Sequence, residues 1–149
     1  MNNHELEEFV RNNPVGVVST SGSSGIASAA VYYVLDTDGV LYFNTRHDTE
    51  KLKNIRENPE VSFAVFQRNP DMTLQYKGTA EVVSSVSHIT DTYTNLLQRI
   101  FQEGVVPPIL RTDAGEVELV KVTPTWVRFG NFSHGHDQGD TFITIIGEK

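Results

Sequence analysis

Apolar and polar positions alternate along most of this chain with the two-residue period of half-buried strands, and the departures from that period mark the helices. The first departure is His4–Asn12, where Leu6, Phe9 and Val10 fall at i, i+3 and i+4 on one helical face. Asn12-Asn13-Pro14 ends it, because the residue before a proline is pushed out of helical geometry. Val15–Thr20 reads as a strand, Ser21–Gly25 as a flexible hairpin connection, and Ile26–Leu35 as a second strand. The turn Asp36-Thr37-Asp38-Gly39 returns Val40–Asn44 as a third. A second helix is expected from Thr49 to Glu57, opened by Asp48 as N-cap and stopped by Pro59.

Beyond it, Val61–Gln67 and Met72–Val83 are strands joined by the turn Arg68-Asn69-Pro70-Asp71. In the second of these Leu74, Tyr76, Gly78 and Ala80 share one face, and Thr73, Gln75, Lys77, Thr79 and Glu81 the other. Glycine 78 in mid-strand points to a bulge or a close backbone approach. Ser87–Gln102 carries the period of an amphipathic helix, and Gly104–Pro108 breaks it. Glu116–Val122 alternates as a sixth strand, Pro124 interrupts it, and Trp126–Phe129 continues it. A glycine-rich link, Gly130–Gly139, leads to a last strand, Thr141–Ile146. Closely spaced strands joined by tight turns, with few helices, predict a mainly β fold: a closed antiparallel barrel with flanking helices.

Composition narrows the functional classes. The 149 residues suit a single domain over the whole chain, long enough to bury a core. No apolar run approaches the ~20 residues of a membrane span, and the polar, acidic MNNHELEEFV resembles no targeting segment, so a cytoplasmic protein without a membrane partner is expected. A net charge of −7 without a long basic run argues against nucleic acid. With no cysteine there are no disulfides or thiolate metal sites. His134, His136 and Asp137 could hold a metal or haem, but flanking glycines favour a surface loop, and no metal site is predicted. His4, His47 and His88 are isolated and read as solvated; Trp126 reads as a core residue.

The candidate chemistry gathers at the start of the second helix. Thr45, Arg46, Thr49 and Lys51 offer two hydroxyls, a fork of donors and an ammonium beside free backbone N–H groups. That set suits a phosphate, or is an ordinary helix start with surface charges. Ala27, Ser28, Ala29 and Ala30 are small enough for a flat group, or a packed neighbour, to approach the sheet.

Thr45 followed after five residues by Lys51, a short helix, Asn58-Pro59 and an apolar strand resembles the pyridoxamine 5′-phosphate oxidase-like family. Asp38-Gly39, Gly78-Thr79-Ala80-Glu81 and Pro124 with Trp126-Val127-Arg128-Phe129 resemble it in the same order. The resemblance implies a Greek-key-like split β-barrel that binds FMN, with two subunits packed barrel to barrel and a flavin in each interfacial cleft. It puts Lys51 and Thr49 on the flavin phosphate, and Asn44 and Thr45 beside the ring or ribityl chain. Ser28, Ala29, Ala30 and Val31 would pass the isoalloxazine, and Thr73 or Gln75 would come from an adjacent strand, of the same subunit or of the second. An arginine that the oxidase proper carries near the position of Ser28 is missing; Arg46 would replace it by turning inward.

The oxidase's substrate residues have no match either. Tyr93 and Arg99 stand at the wrong spacing and no Arg-x-His occurs, so pyridoxamine phosphate oxidase activity is not expected. What the resemblance implies is an FMN-dependent oxidoreductase for an unidentified small molecule. A non-catalytic flavin carrier, or a haem- or deazaflavin-binding relative, stays open beside it, and no catalytic acid–base pair is evident. The homodimer is expected on a second ground: Val31, Tyr33, Phe63, Val65, Leu74 and Tyr76 together exceed what one small barrel would hold.

Overall fold

The structure, a computed structural model, describes residues 3–83, 117–133 and 142–147. The expected helix over Ser87–Gln102 and the His134–Asp137 cluster lie outside these residues. In chain order the elements are α1 (His4–Asn12), β1 (Val15–Gly22), β2 (Gly25–Leu35), β3 (Leu41–Arg46), α2 (Glu50–Glu57), β4 (Glu60–Gln67), β5 (Met72–Val83), β6 (Val117–Asn131) and β7 (Phe142–Ile146).

The strands lie in the order β3-β2-β1-β4-β5-β6-β7, every neighbour antiparallel, and a β3–β6 pairing closes six of them into a barrel. Three strands in a meander with the fourth laid beside the first is the Greek-key order. The alternation read from the sequence becomes inside and outside: Leu74, Tyr76 and Ala80 are buried, while Gln75, Lys77, Thr79 and Glu81 are exposed. Tyr76 spans the interior, its hydroxyl within reach of the Gly39 (2.8 Å) and Val122 (2.9 Å) carbonyls. Burial raises its pKa, so it stays a neutral donor.

The helices plug opposite ends. α1 lays Leu6, Phe9 and Val10 on the core, with Phe9 edge-on to Phe129 at 5.3 Å. α2 inserts Leu52 and Ile55 at the other end, where it packs on β1 and β2.

Two expectations are corrected here. Pro124 does not interrupt the sixth strand. Lys77 pairs with Trp126 and Gly78 with Pro124, so Thr125 is an extra residue looped out in a bulge, its hydroxyl donating to the Lys77 carbonyl at 3.2 Å. One edge of β6 pairs with β3 as far as Val122 and with β7 from Val127, and the proline falls in the gap, where no ladder bond needs its missing N–H. The second correction concerns the six apolar residues offered as surplus. Val31, Tyr33, Phe63, Val65, Leu74 and Tyr76 are all inside the barrel core, which therefore holds them without a partner.

Candidate functional site

The β2–β3 ladder is short. It pairs Tyr33–Leu35 with Leu41–Phe43 and stops. Past that point β2 continues along β1 alone, from Tyr32 back to Gly25, while β3 continues along β6 alone, from Asn44 to Arg46. The barrel is thus split between these two segments, and α2 follows directly from β3 at the mouth of the split. Ser28, Ala29, Ala30 and Val31 stand on one lip, and Asn44, Thr45 and Arg46 on the other, with Thr49 and Lys51 at the start of the helix. Alternation divides them further: Ser28 and Ala30 are exposed, Ala29 and Val31 turn toward the core, and Thr45 is buried at 1% exposure.

At the helix start Thr45 Oγ1 and Thr49 Oγ1 are 2.9 Å apart, and both lie within reach of the Arg46 carbonyl (3.3 and 3.0 Å). Two hydroxyl protons serve three contacts, so the pair is closed on itself until an acceptor draws one proton away. The N-cap is Thr49, not the expected Asp48, and it caps with no side-chain bond. Asp48 is drawn instead to Arg46, whose Nε and Nη2 donate to its two carboxylate oxygens at 3.2 and 3.3 Å. This pair is half-exposed, so Arg46 faces solvent and does not turn inward as the sequence reading required. The first N–H groups of α2 are left without a side-chain acceptor. Lys51 is half-buried, and burial holds its ammonium below the usual lysine pKa. Among the described residues no hydrogen bond or ion pair compensates that charge.

A second group occupies the outer face of the barrel. The registers align Ala30, Val17, Ala64, Gln75 and Arg128 in one row across five strands. The next row is Ser28, Ser19, Ser62, Lys77 and Trp126, with the Ser19 and Ser28 hydroxyls 2.9 Å apart and the Lys77 ammonium 5.0 Å from the Trp126 ring centre. Gln75 and Ser28 of the expected site are in these rows. Thr73 lies one row on, opposite Phe66 and Gly130, its hydroxyl bonded to the Val65 carbonyl at 3.2 Å. A groove of about 320 Å³ runs between Val17, Ser62, Gln75 and Trp126. Trp126 is therefore not the core tryptophan expected from sequence: it lies on the outer face and is only partly covered. Ser19, Ser62 and Lys77 were missed as well. Their alternation was visible, but that they share a row is a matter of register between strands far apart in sequence.

A closed antiparallel barrel, split between two strands and carrying a helix at the split, defines the class of split β-barrels. The chain belongs to the pyridoxamine 5′-phosphate oxidase family, whose pattern it matches over residues 3–131. No curated protein matches it. Among solved structures it is similar to a conserved hypothetical protein from Mycobacterium tuberculosis (TM-score 0.72, 20% identity, covering 94% of this chain and 92% of that one). It is also similar to HutZ, the haem storage protein from Vibrio cholerae (0.65, 15%, 96% and 94%). ChuZ from Campylobacter jejuni matches at 0.75 with 17% identity, covering 98% of this chain and 61% of its own length. At these identities the likeness is one of fold.

Proposed function

We propose that this chain is a flavoprotein that binds FMN at the split and, as a homodimer, uses it in oxidoreduction of a small molecule. The observation that carries the reading is Lys51: a half-buried ammonium with no partner among the described residues, on a residue in the first turn of a helix whose N–H groups have no side-chain cap. A phosphate dianion supplies the charge and the acceptors that this arrangement lacks. Thr49 and Thr45 would turn hydroxyls toward it, and Asn44 would lie toward the ribityl chain. The flat ring would run along the small outer side chains of β2, Ser28 and Ala30, against the backbone of Ala29 and Val31. Thr73 and Gln75 would come from the second subunit.

A bound flavin brings its own two-electron chemistry, and the protein's part is to hold it and exclude water. The test is a fluorescence titration with FMN. Lys51→Ala is expected to weaken binding roughly 10–150-fold, the equivalent of ~1.5–3 kcal/mol for a charge-assisted bond, with the fold intact. Arg46→Ala, whose partner is already Asp48 at the surface, is expected to cost no more than about 5-fold. An unchanged affinity in Lys51→Ala would remove it from the site. The likeness to a haem storage protein favours haem as the second reading; a Soret band on adding haemin, with no flavin uptake, would select it.

A further inference from the structure

The helix that carries Lys51 is fastened to the barrel by a polar seam. The stretch SGSSG, read from sequence as a flexible connection, has its serines taken up by α2 in turn. Lys53 Nζ donates to Ser24 Oγ at 2.8 Å, and Asn58 Nδ2 to Ser21 Oγ at 2.9 Å. The Glu57 carboxylate accepts from the Ser23 N–H (2.6 Å) and hydroxyl (3.0 Å). Gly22 permits this approach: a Cβ there would lie 2.5 Å from both Asn54 Oδ1 and Glu57 Oε2.

Most of these contacts are exposed and individually weak. Asn54 is not exposed. It is 1% accessible, its Nδ2 donates to Thr20 Oγ1 at 3.1 Å with the Gly25 carbonyl at 3.5 Å, and its Oδ1 is buried without a hydrogen bond. A leucine would fill that space without stranding a carbonyl oxygen, so stability does not account for the amide. Direction does. Apolar neighbours such as Leu52 and Ile55 tolerate several rotations and slides of a helix, whereas bonds to β1 and to the first residue of β2 fix one. Lys51 precedes Asn54 by three residues and so sits one turn away on the same side of α2.

We propose that Asn54 is a positioning residue for Lys51: by keying α2 to Thr20 and Gly25, it holds the ammonium where an anion is bound. The inference rests on the phosphate reading above. Replacing the amide and its nearer partner together, Thr20→Val with Asn54→Leu, takes away only the long 3.5 Å contact at the Gly25 carbonyl and removes the stranded amide oxygen, so the melting temperature is expected to change little. FMN titration of this pair is expected to show affinity about 3- to 10-fold below wild type, part of the loss expected on removing the charge-assisted bond altogether. In a Lys51→Ala background the same pair is expected to change nothing, because no ammonium is left to position. Should the pair fail to fold, Glu57→Ala loosens the seam at Ser23, and a loss of about 2-fold is expected that likewise vanishes without Lys51. Wild-type affinity in the paired variant, and in Glu57→Ala where that is the variant used, would overturn the inference and leave the phosphate reading standing. So would an equal loss with and without Lys51, which makes Asn54 a general support of the fold. A wild-type chain that takes up no FMN would overturn the reading itself.

Discussion

On the proposed reading, Lys51 is the residue that gains a counter-charge when an anion binds. Burial disfavours its charged form, so its folded pKa lies below 10.5 and the folded chain binds fewer protons than the unfolded one just under that value. The sign follows: the free chain gains stability as pH climbs toward 10.5, while affinity for an anion falls, because the ammonium is lost at a lower pH than an ordinary lysine. FMN titrations across alkaline pH are expected to show the wild-type affinity declining while that of Lys51→Ala stays level in the same window. Parallel curves would assign the decline to another group. The residue types at this helix start were legible in the sequence. Their pairings were not, because Asp48 had two good options, the helix N–H groups and Arg46, and only geometry decides between them.

Among the elements, β5 and β6 make the sharpest prediction. Gly78 was marked as a bulge or close approach from its place in mid-strand; the close approach is at Gly78, and the bulge lies across from it at Thr125 of β6. A Cβ at this position would lie 2.6 Å from the Thr123 carbonyl oxygen and 2.7 Å from Val122 Cγ1, so backbone must shift to admit it. Gly78→Ala is expected to cost about 1–3 kcal/mol, read from the urea midpoint at unchanged slope; a shift under a few tenths would place the strain elsewhere. α1, β1 to β5 and β7 follow the hydrophobic period to within two residues at either end, since a two-sided environment imposes that period directly. β6 departs from it because one strand serves two partners on the same edge. A local pattern carries no sign of a change of partner, and so Pro124 read as a break.

For the whole molecule, the case for a dimer rests on different residues from those the sequence suggested. The six residues proposed as surplus fill the core; the exposed large apolar residues among those described are Val15, Val17, Ile26, Phe66, Phe132 and Ile143, and of these Val17 (42% accessible) and Phe66 (59%) lie with the small residues Ala30 and Ala64. These lie on the outer face, in rows that only the closed barrel assembles, whereas the six residues read from sequence have the opposite parity and point inward. Val17→Glu puts a charge at the centre of that face, beside Ala30 and Ala64. It is expected to leave the barrel folded and to convert a dimer into a chain of 16.6 kDa in sedimentation at micromolar concentration, with FMN affinity lost in step. A variant that still sediments as wild type would put the interface on another surface.

On the proposed reading, the split between β2 and β3 holds a phosphate and not a ring alone. Comparing the affinities of FMN and riboflavin for the unaltered protein tests it without any substitution, since the two ligands differ only by that phosphate. FMN is expected to bind roughly 10–150-fold more tightly, the worth of a charge-assisted bond to a half-buried ammonium. Equal affinities for the two would contradict it.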